Sequence, residues 1–366
     1  MASNEGMLRI EPSSPAYQEV ARLYRIAQDL HPGGLDRWNG ELYARFDDKW
    51  GGLSRDGTLR LNQDLVLRQL TGGRLSDRPD LQAQALATVL HESRHARAEF
   101  DAPNEPNALR QPRSVDLDEG LVELSTMEDF ATFAQQAGYD AVPQPTPEYP
   151  GAVHAADALL DRASGPAGRT QTLTELIDQP VMMRWDAVAD RLVQNELADV
   201  VPPDPAHQQA ARAHLVNKMA VESWEGLRDR PDGGSTVAAL TNAGLDEGVQ
   251  DLREHYRSSP ETPHPARSPN PHAQAAVKTE HSPEQARVGA RGQEQTVDLS
   301  KLPPPDAATR VDSPGQQTGD MRFLSGQAPA AQATRHAPVL GDGARGAGAP
   351  QVAGVGRRVP GERGRD

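Results

Sequence analysis

Apolar residues recur at helical spacing along most of the chain up to about residue 257. The segment "SSPAYQEVARLYRIAQDL" begins with Ser and Pro, which favour a helix start, and then places Tyr17, Val20, Tyr24 and Ala27 on one helical face. The segment "RPDLQAQALATVLHESRHARAEF" has the same periodicity over a longer stretch, with a broad apolar face. Both segments are therefore predicted to be helices that pack against a core.

The same periodicity predicts further helices along the chain. It covers "SVDLDEGLVELSTMEDFATFAQQAG", "GAVHAADALLDRA", "MRWDAVADRLVQNELADV", "PAHQQAARAHLVNKMAVESWEGL" and "GLDEGVQDLREHY". The acidic start of the first of these segments suits the helix dipole. Within the later segments Trp185, Leu192, Met219 and Trp224 fall at helical spacing, which predicts a packed core and not a cofactor pocket.

A shorter pattern before the second helix predicts a small sheet. The segment "LYARFDDKWGGLSRDGTLRLN" indicates two strands around turn-forming glycines, with Asp56-Gly57 as the tightest turn signal. Leu59 and Leu61 alternate with polar residues, as in a half-buried strand. The predicted fold class is therefore α+β and mainly helical, with the sheet preceding the helix that contains "LHESRH".

The composition changes near Ser258. Segments such as "SSPETPHPARSPNPHAQ" and "GDGARGAGAPQVAGVGRRVPGERGRD" are rich in Pro, Gly, Ala and Arg, and they have no apolar periodicity. A segment of this kind buries too little apolar surface to offset the entropy of ordering. The sequence therefore predicts a folded domain over residues 1–257 and a disordered tail over residues 258–366. Short apolar islands such as "MRFLSG" leave open that the tail docks protein partners.

Composition and charge exclude several classes of function. The 366 residues include no cysteine, so any metal must be bound by His and carboxylate side chains. A net charge of −14 disfavours nucleic-acid binding, because most faces would repel the phosphates. No apolar run approaches the roughly 18–20 residues of a membrane span, and "MASNEGMLRIEPSSP" lacks a signal-peptide pattern. We expect a cytoplasmic protein without nucleic-acid or membrane partners, with export by a signal-less route left open.

The stretch "ATVLHESRHARAEF" contains the pattern H-E-x-x-H at His91, Glu92 and His95. Positions four apart lie on the same face of a helix, so the two imidazoles can bind one metal ion. Glu92 is rotated by about 100 degrees from His91, and it can act as a general base on a water molecule beside the metal. The alternative is a helix with three solvated polar residues, but Val89 and Leu90 indicate that this face points inward.

A third ligand is needed, because a catalytic zinc site has three protein ligands and an open fourth position. The segment "DLDEGLVELST" supplies Glu119, far enough after His95 for a loop and an antiparallel return by a second helix. Glu119 is favoured, and Asp116, Asp118 and Glu123 remain alternatives in the same segment.

An H-E-x-x-H helix, followed by a helix with E-G and a second acidic residue four positions later, resembles the gluzincin zinc metallopeptidases. The resemblance covers roughly residues 40–165 and implies a zincin-like domain, with the strand "GTLRLN" in a sheet beside the H-E-x-x-H helix. It implies that Glu92 is the general base and that Glu123 orients a ligand histidine. It also implies three zinc ligands, namely His91, His95 and Glu119.

Gluzincins also use a Tyr or His from another segment to stabilise the oxyanion that forms during amide hydrolysis. The segment "PEYPGAVHAADALL" offers Tyr149 and His154 for this role. Tyr149 is the first choice, because His154 lies on an Ala- and Leu-rich helix and is expected to be a core residue.

The chain departs from better-known zincins at several positions. The metzincin extension is absent, because Ala98 replaces its Gly and Asp101 replaces its third His. Arg94 and Arg97 carry charge where zincin helices prefer uncharged residues, and Asp118 stands where Asn is more common. The resemblance therefore extends to a clan and not to a named family.

These patterns predict a zinc-dependent metallopeptidase that hydrolyses amide bonds in a protein or peptide substrate, with Zn²⁺ as its cofactor. Two alternatives remain. The first is a catalytically inactive zincin scaffold that binds or regulates other proteins, with the tail recruiting partners. The second is a secreted effector or toxin protease, which performs the same chemistry on a host or competitor protein.

Overall fold

The structure is a computed structural model, and it describes residues 6–71 and 77–270 together with residue 273. These residues belong to one compact unit, residues 1–330, and a second unit, residues 331–366, lies outside the described residues. The α-helices are α1 (Pro15–Leu30), α2 (Arg68–Thr71), α3 (Pro79–His95), α4 (Pro112–Gln136), α5 (Pro150–Ser164), α6 (Arg169–Ile177), α7 (Arg184–Glu196), α8 (Pro205–Met219) and α9 (Gly234–Ser258). The strands are β1 (Leu8–Arg9), β2 (Leu42–Arg45), β3 (Gly51–Leu53) and β4 (Leu59–Asn62). The prediction of a mainly helical α+β chain with a small sheet is confirmed.

The four strands form one sheet in the order β1-β2-β4-β3. β2 and β4 are parallel, with Leu42 opposite Leu59, whereas β3 and β4 form an antiparallel hairpin with Leu53 opposite Leu59. Gly57 adopts a φ of +86° in the hairpin turn, as the Asp-Gly signal predicts. The "GG" segment, predicted to be a turn, instead begins β3.

The prediction of a half-buried strand over "TLRLN" was wrong. All four residues of β4 are buried, including the polar Arg60. A pattern within one segment does not reveal that side chains on both faces of the sheet are covered here.

The predicted helices are present, and their ends follow local signals. Ser14 begins α1 by accepting a hydrogen bond from the Tyr17 backbone amide at 3.3 Å. α9 begins at Gly234, earlier than its apolar pattern indicated. The short helix α6, with the sequence "RTQTLTELI", was not predicted.

Two hydrophobic clusters meet along α4. Its first half contributes Leu117 and Leu121 to a cluster formed with the later helices, and its second half contributes Phe130 and Phe133 to the cluster around the sheet, α1 and α3. The prediction that the four large residues of the later segments are core is confirmed, since all are fully buried: Trp185, Leu192, Met219 and Trp224.

The sequence left Arg94 and Arg97 unexplained. In the structure, both form ion pairs that connect the end of α3 to neighbouring elements. Arg94 is fully buried and donates to Asp129 Oδ2 at 2.5 Å, and Arg97 is almost fully buried and forms a two-pronged ion pair with Asp178. Arg97 also donates to the backbone carbonyl of His31. The two charges therefore hold α3 against α1, α4 and the end of α6.

Residues 259–270, the described beginning of the predicted tail, lie against the body of the protein. Asn270 is buried, and its side-chain amide donates to the backbone oxygens of Pro103 and Glu105, at 3.0 Å each. The rest of the predicted tail, including "MRFLSG", lies outside the described residues, apart from Ala273. Among the described helices, none has the length and apolar character needed to cross a membrane.

Candidate metal centre

The facing helices α3 and α4 bring the candidate ligands together. His91 Nε2 lies 3.2 Å from Glu119 Oε2, and His95 Nε2 lies 3.4 Å from the same oxygen. The two Nε2 atoms are 3.0 Å apart, and all three side chains are buried. Within the part of the chain that the structure describes, this is the group of His and carboxylate residues whose donor atoms converge closely enough to hold a metal ion.

These separations match a tetrahedral ion. Ligand bonds of about 2.0–2.1 Å at tetrahedral angles set the donor atoms roughly 3.3 Å apart. The three separations here are 3.0, 3.2 and 3.4 Å. Two imidazole nitrogens and one carboxylate oxygen are donors that suit Zn²⁺, although other divalent metals accept the same set. The residues therefore fit a zinc ion.

The competing carboxylates of α4 contact the histidines on their other side. Glu123 Oε2 lies 2.7 Å from His91 Nδ1, where the resemblance expects an orienting carboxylate. Asp118 Oδ2 lies 3.3 Å from His95 Nδ1, and the other Asp118 oxygen accepts a hydrogen bond from Arg184, which is fully buried. Asp118 and Glu123 therefore face the Nδ1 atoms, while Glu119 faces the converging Nε2 atoms.

Carboxylates raise the pKa of both histidines. Burial lowers the pKa of His91, but Glu119 and Glu123 outweigh burial and raise it well above its usual range. Burial also opposes the change at His95, where Asp118 and Glu119 raise the pKa to about 9. Burial would raise the pKa of Glu119, but hydrogen bonds to the two imidazoles lower it. The site therefore favours positive charge beside Glu119, whether from protons or from a metal cation that displaces them.

Glu92 lies in the same cleft, close to strand β3. A Cβ atom on Gly51 would come within 2.9 Å of Glu92 Oε1 and 2.7 Å of Thr88 Cγ2, so this approach requires glycine. Burial raises the pKa of Glu92, which suits a carboxylate that accepts a proton during a reaction. Strand β3 thus forms a wall of the cleft directly beside the predicted general base.

Tyr149 reaches the cleft from the N-cap position of α5. Its ring centroid is 6.1 Å from that of His91, and it lines the cleft with the ligand residues. Burial, together with Glu119, raises the pKa of Tyr149 well above its usual range, so its hydroxyl remains protonated. His154, the alternative to Tyr149, is exposed on α5, so the expectation that it belongs to the core was wrong.

The cleft itself is narrow. Its cavity offers about 20 Å³, which is room for one water molecule. Beyond the ligands, it is lined by residues of three separate segments, namely Gly51, Gly52, Leu53, Glu92, Glu148 and Tyr149. The cleft therefore has room for only a small group beside Glu92.

Sequence reasoning missed three residues around the site. Glu148 lines the cleft, and its only sequence signal is that it precedes Tyr149. Arg184 forms a buried ion pair with Asp118 behind His95. Arg228 lies on the Glu119 side, with Nη1 3.9 Å from Glu119 Oε1. No local pattern marks Arg184 or Arg228, because each comes from a distant segment.

Asp116, the remaining alternative ligand, instead fixes the loop that carries Arg228. It accepts hydrogen bonds from the backbone amides of Gly226 at 3.0 Å and Arg228 at 3.4 Å. Burial raises the pKa of Asp116 to about 6, although Arg228 opposes this change. Asp116 therefore has a structural role beside the site.

Comparisons with known protein families, with curated proteins and with solved structures gave no match to this chain.

Proposed function

We propose that this protein is a zinc-dependent metallopeptidase, an amide hydrolase of gluzincin type. The observation that carries the proposal is the convergence of two imidazole nitrogens and a carboxylate oxygen at 3.0–3.4 Å, with a further carboxylate, Glu92, in the same cleft. His91, His95 and Glu119 hold the metal. Bound there, Zn²⁺ supplies a Lewis acid that polarises a carbonyl oxygen and lowers the pKa of a water molecule.

The chain's own residues move the protons. Glu92 accepts a proton from the attacking water and passes it to the nitrogen of the leaving amine. Its raised pKa, caused by burial, makes its carboxylate a stronger base than that of a solvated glutamate. The protonated Tyr149 hydroxyl donates a hydrogen bond to the carbonyl oxygen as negative charge develops on it.

Strand β3 supports binding of an extended peptide. It is the last strand of the sheet, paired with β4, and its residues line the cleft. An extended substrate that lies along a terminal strand can form backbone hydrogen bonds with it, whatever its side chains. In this proposal, the scissile amide lies over Glu92 while the peptide continues along β3.

Two substitutions test the metal site and the chemistry separately. Zinc content and peptide hydrolysis are measured for the full chain at neutral pH. Glu119→Ala removes a ligand, so bound zinc should be lost. Glu92→Gln removes the base but no ligand, so one zinc should remain while hydrolysis falls by about 10²–10⁴-fold. The control Glu247→Gln changes an exposed residue of α9 and should alter neither quantity.

The outcomes also separate an active enzyme from the inactive scaffold. Failure of the wild-type chain to bind zinc at neutral pH would reject every zinc-dependent proposal. Zinc binding that Glu119→Ala abolishes, without hydrolysis of any peptide in a diverse library, would favour the inactive scaffold. An effector or toxin protease shares the chemistry and differs in its substrate, a host or competitor protein.

A further inference from the structure

One carboxyl group that lines the cleft has no part in the proposed chemistry. Glu148 precedes Tyr149 in the chain and lines the cleft with it. Among the described residues, its carboxylate forms no hydrogen bond or ion pair, and His91, which favours its charged form, is opposed by the nearby Glu123, Glu119 and Glu92. A charged carboxylate without a partner is costly when it is mostly removed from water. Burial accordingly raises the pKa of Glu148 to about 7.

Glu148 is held at a defined distance from the metal ligands. Its backbone amide donates to Glu123 Oε1 at 3.0 Å, while Glu123 Oε2 lies 2.7 Å from His91 Nδ1. One side chain thus links a ligand histidine to the backbone of the cleft wall. A group that Glu148 binds would therefore be placed reproducibly relative to the reacting atoms.

The charge of the cleft indicates which group that is. Lys and Arg are absent from the described residues that line it, whereas three glutamates are present: Glu92, Glu119 and Glu148. In the proposed function, Glu119 binds the metal and Glu92 exchanges protons. Glu148 is left as the acceptor for a cation that arrives from outside the chain.

We propose that Glu148 determines specificity by binding an ammonium or guanidinium group of the substrate next to the scissile amide. This inference rests on the proposed function and adds the substrate class, namely peptides with a positive charge beside the bond that is cleaved. The cation is either a free α-amine or a basic side chain. A charge-assisted hydrogen bond to the largely desolvated Glu148 carboxylate favours both over neutral groups.

Binding of four hydroxamates to the zinc-loaded full chain tests the proposal without turnover. Calorimetry compares lysine hydroxamate, Nα-acetyl-lysine hydroxamate, norleucine hydroxamate and Nα-acetyl-norleucine hydroxamate. We expect the wild type to bind at least one cationic compound about tenfold more tightly than the neutral Nα-acetyl-norleucine compound. Preference for the free amine indicates cleavage at the N-terminus, and preference for the acetylated lysine compound indicates cleavage beside internal basic residues.

Glu148→Gln should reduce that preference to less than about twofold, and Glu148→Lys should make the cationic compounds the weaker ligands. The control Glu247→Gln should keep the wild-type ratio. Equal affinities for all four compounds in the zinc-loaded wild type, or a preference that survives Glu148→Gln with zinc content unchanged, would overturn the inference and leave the proposed function intact. Absence of zinc binding would overturn both.

Discussion

At the residue scale, each histidine of the candidate site has a carboxylate behind it. Glu123 faces His91 Nδ1 and Asp118 faces His95 Nδ1, so both rings are oriented with Nε2 towards Glu119. Such partners fix the ring orientation and increase the basicity of the ligand nitrogen. Metal affinity should therefore depend on residues that never touch the ion.

Glu123→Ala tests this dependence. The substitution leaves the three ligands in place but removes the partner of His91, so the dissociation constant for zinc should rise by about 10–100-fold. Competition with a chromophoric chelator measures the constant. Glu128→Ala on the same helix is the matched control, because Glu128 contacts Arg169 away from the site. An unchanged zinc affinity in Glu123→Ala would show that His91 is oriented by other contacts.

The sequence predicted the site residues of α3 more directly than the carboxylates of α4. His91, Glu92 and His95 were predicted because helical spacing determines which side chains share a face. Glu119 was favoured as the third ligand from its position after His95, and the resemblance gave Glu123 its role of orienting a histidine; both roles stay predictions. Asp118 was predicted only as a competing ligand, because its partner Arg184 lies 66 residues later in the chain.

At the scale of elements, the close packing of α4 and α5 brings Tyr149 to the candidate ligands. A Cβ atom on Gly120 would lie 2.6 Å from the Ala152 backbone oxygen and 2.9 Å from Ala156 Cβ. Gly120 follows Glu119 directly, so the close approach of the helices occurs beside a candidate metal ligand. The glycine of the E-G motif therefore has a packing reason in this fold.

Gly120→Ala should destabilise the protein by about 1–3 kcal/mol, because the added methyl group meets backbone that cannot move aside. Urea unfolding monitored by circular dichroism measures the change. Gly248→Ala on α9 is the control, since its Cβ atom would meet side chains of Leu215 and Lys218 at 3.2 Å or more. That substitution should be close to neutral, and equal losses in both variants would contradict the packing argument.

At the scale of the whole molecule, the segment after α9 connects distant parts of the chain. The Asn270 side chain donates hydrogen bonds to the loop between α3 and α4. These two helices carry the candidate ligands. His264 packs against His214 and His255, with ring centroids 4.2 and 5.0 Å apart. The beginning of the predicted tail therefore belongs to the packed structure.

Replacing Asn270 should reveal this contribution in the full chain. Asn270→Ala removes a buried side-chain donor to two backbone oxygens and should lower the free energy of unfolding by about 1–3 kcal/mol. Asn270→Asp should cost at least as much, because a carboxylate would then face the carbonyl oxygens. Urea denaturation supplies both values, and wild-type stability in both variants would mean that the segment does not contribute.

Lowering the pH should destabilise the same segment through protonation of His264. Burial, together with the nearby His214 and His255, lowers the pKa of His264 to about 4, although Asp251 opposes this and Lys218 adds to it. The unfolded chain takes up a proton near pH 6.5 that the folded chain takes up only near pH 4. Stability contributed by the neutral ring is therefore lost as the pH falls between these values.

Protonation of His264 should lower the free energy of unfolding by about 1 kcal/mol between pH 6.5 and 4, after allowance for the partial exposure of the ring. His264→Gln should show a correspondingly smaller loss between pH 6.5 and 4, measured by urea unfolding at each pH. Identical pH dependence in the variant and the wild type would exclude His264 as the source.

The sequence by itself determined the longer helices, the mainly helical α+β class and the H-E-x-x-H side chains, because these depend on spacing within a single segment. Only the tertiary structure decided that β4 is buried on both faces, that Arg94 and Arg97 fasten α3, and that Glu148, Arg184 and Arg228 surround the ligands. These features depend on which distant segments meet. Spacing along one segment carries no information about the partner across the fold, and the partner determines burial, ion pairing and pKa.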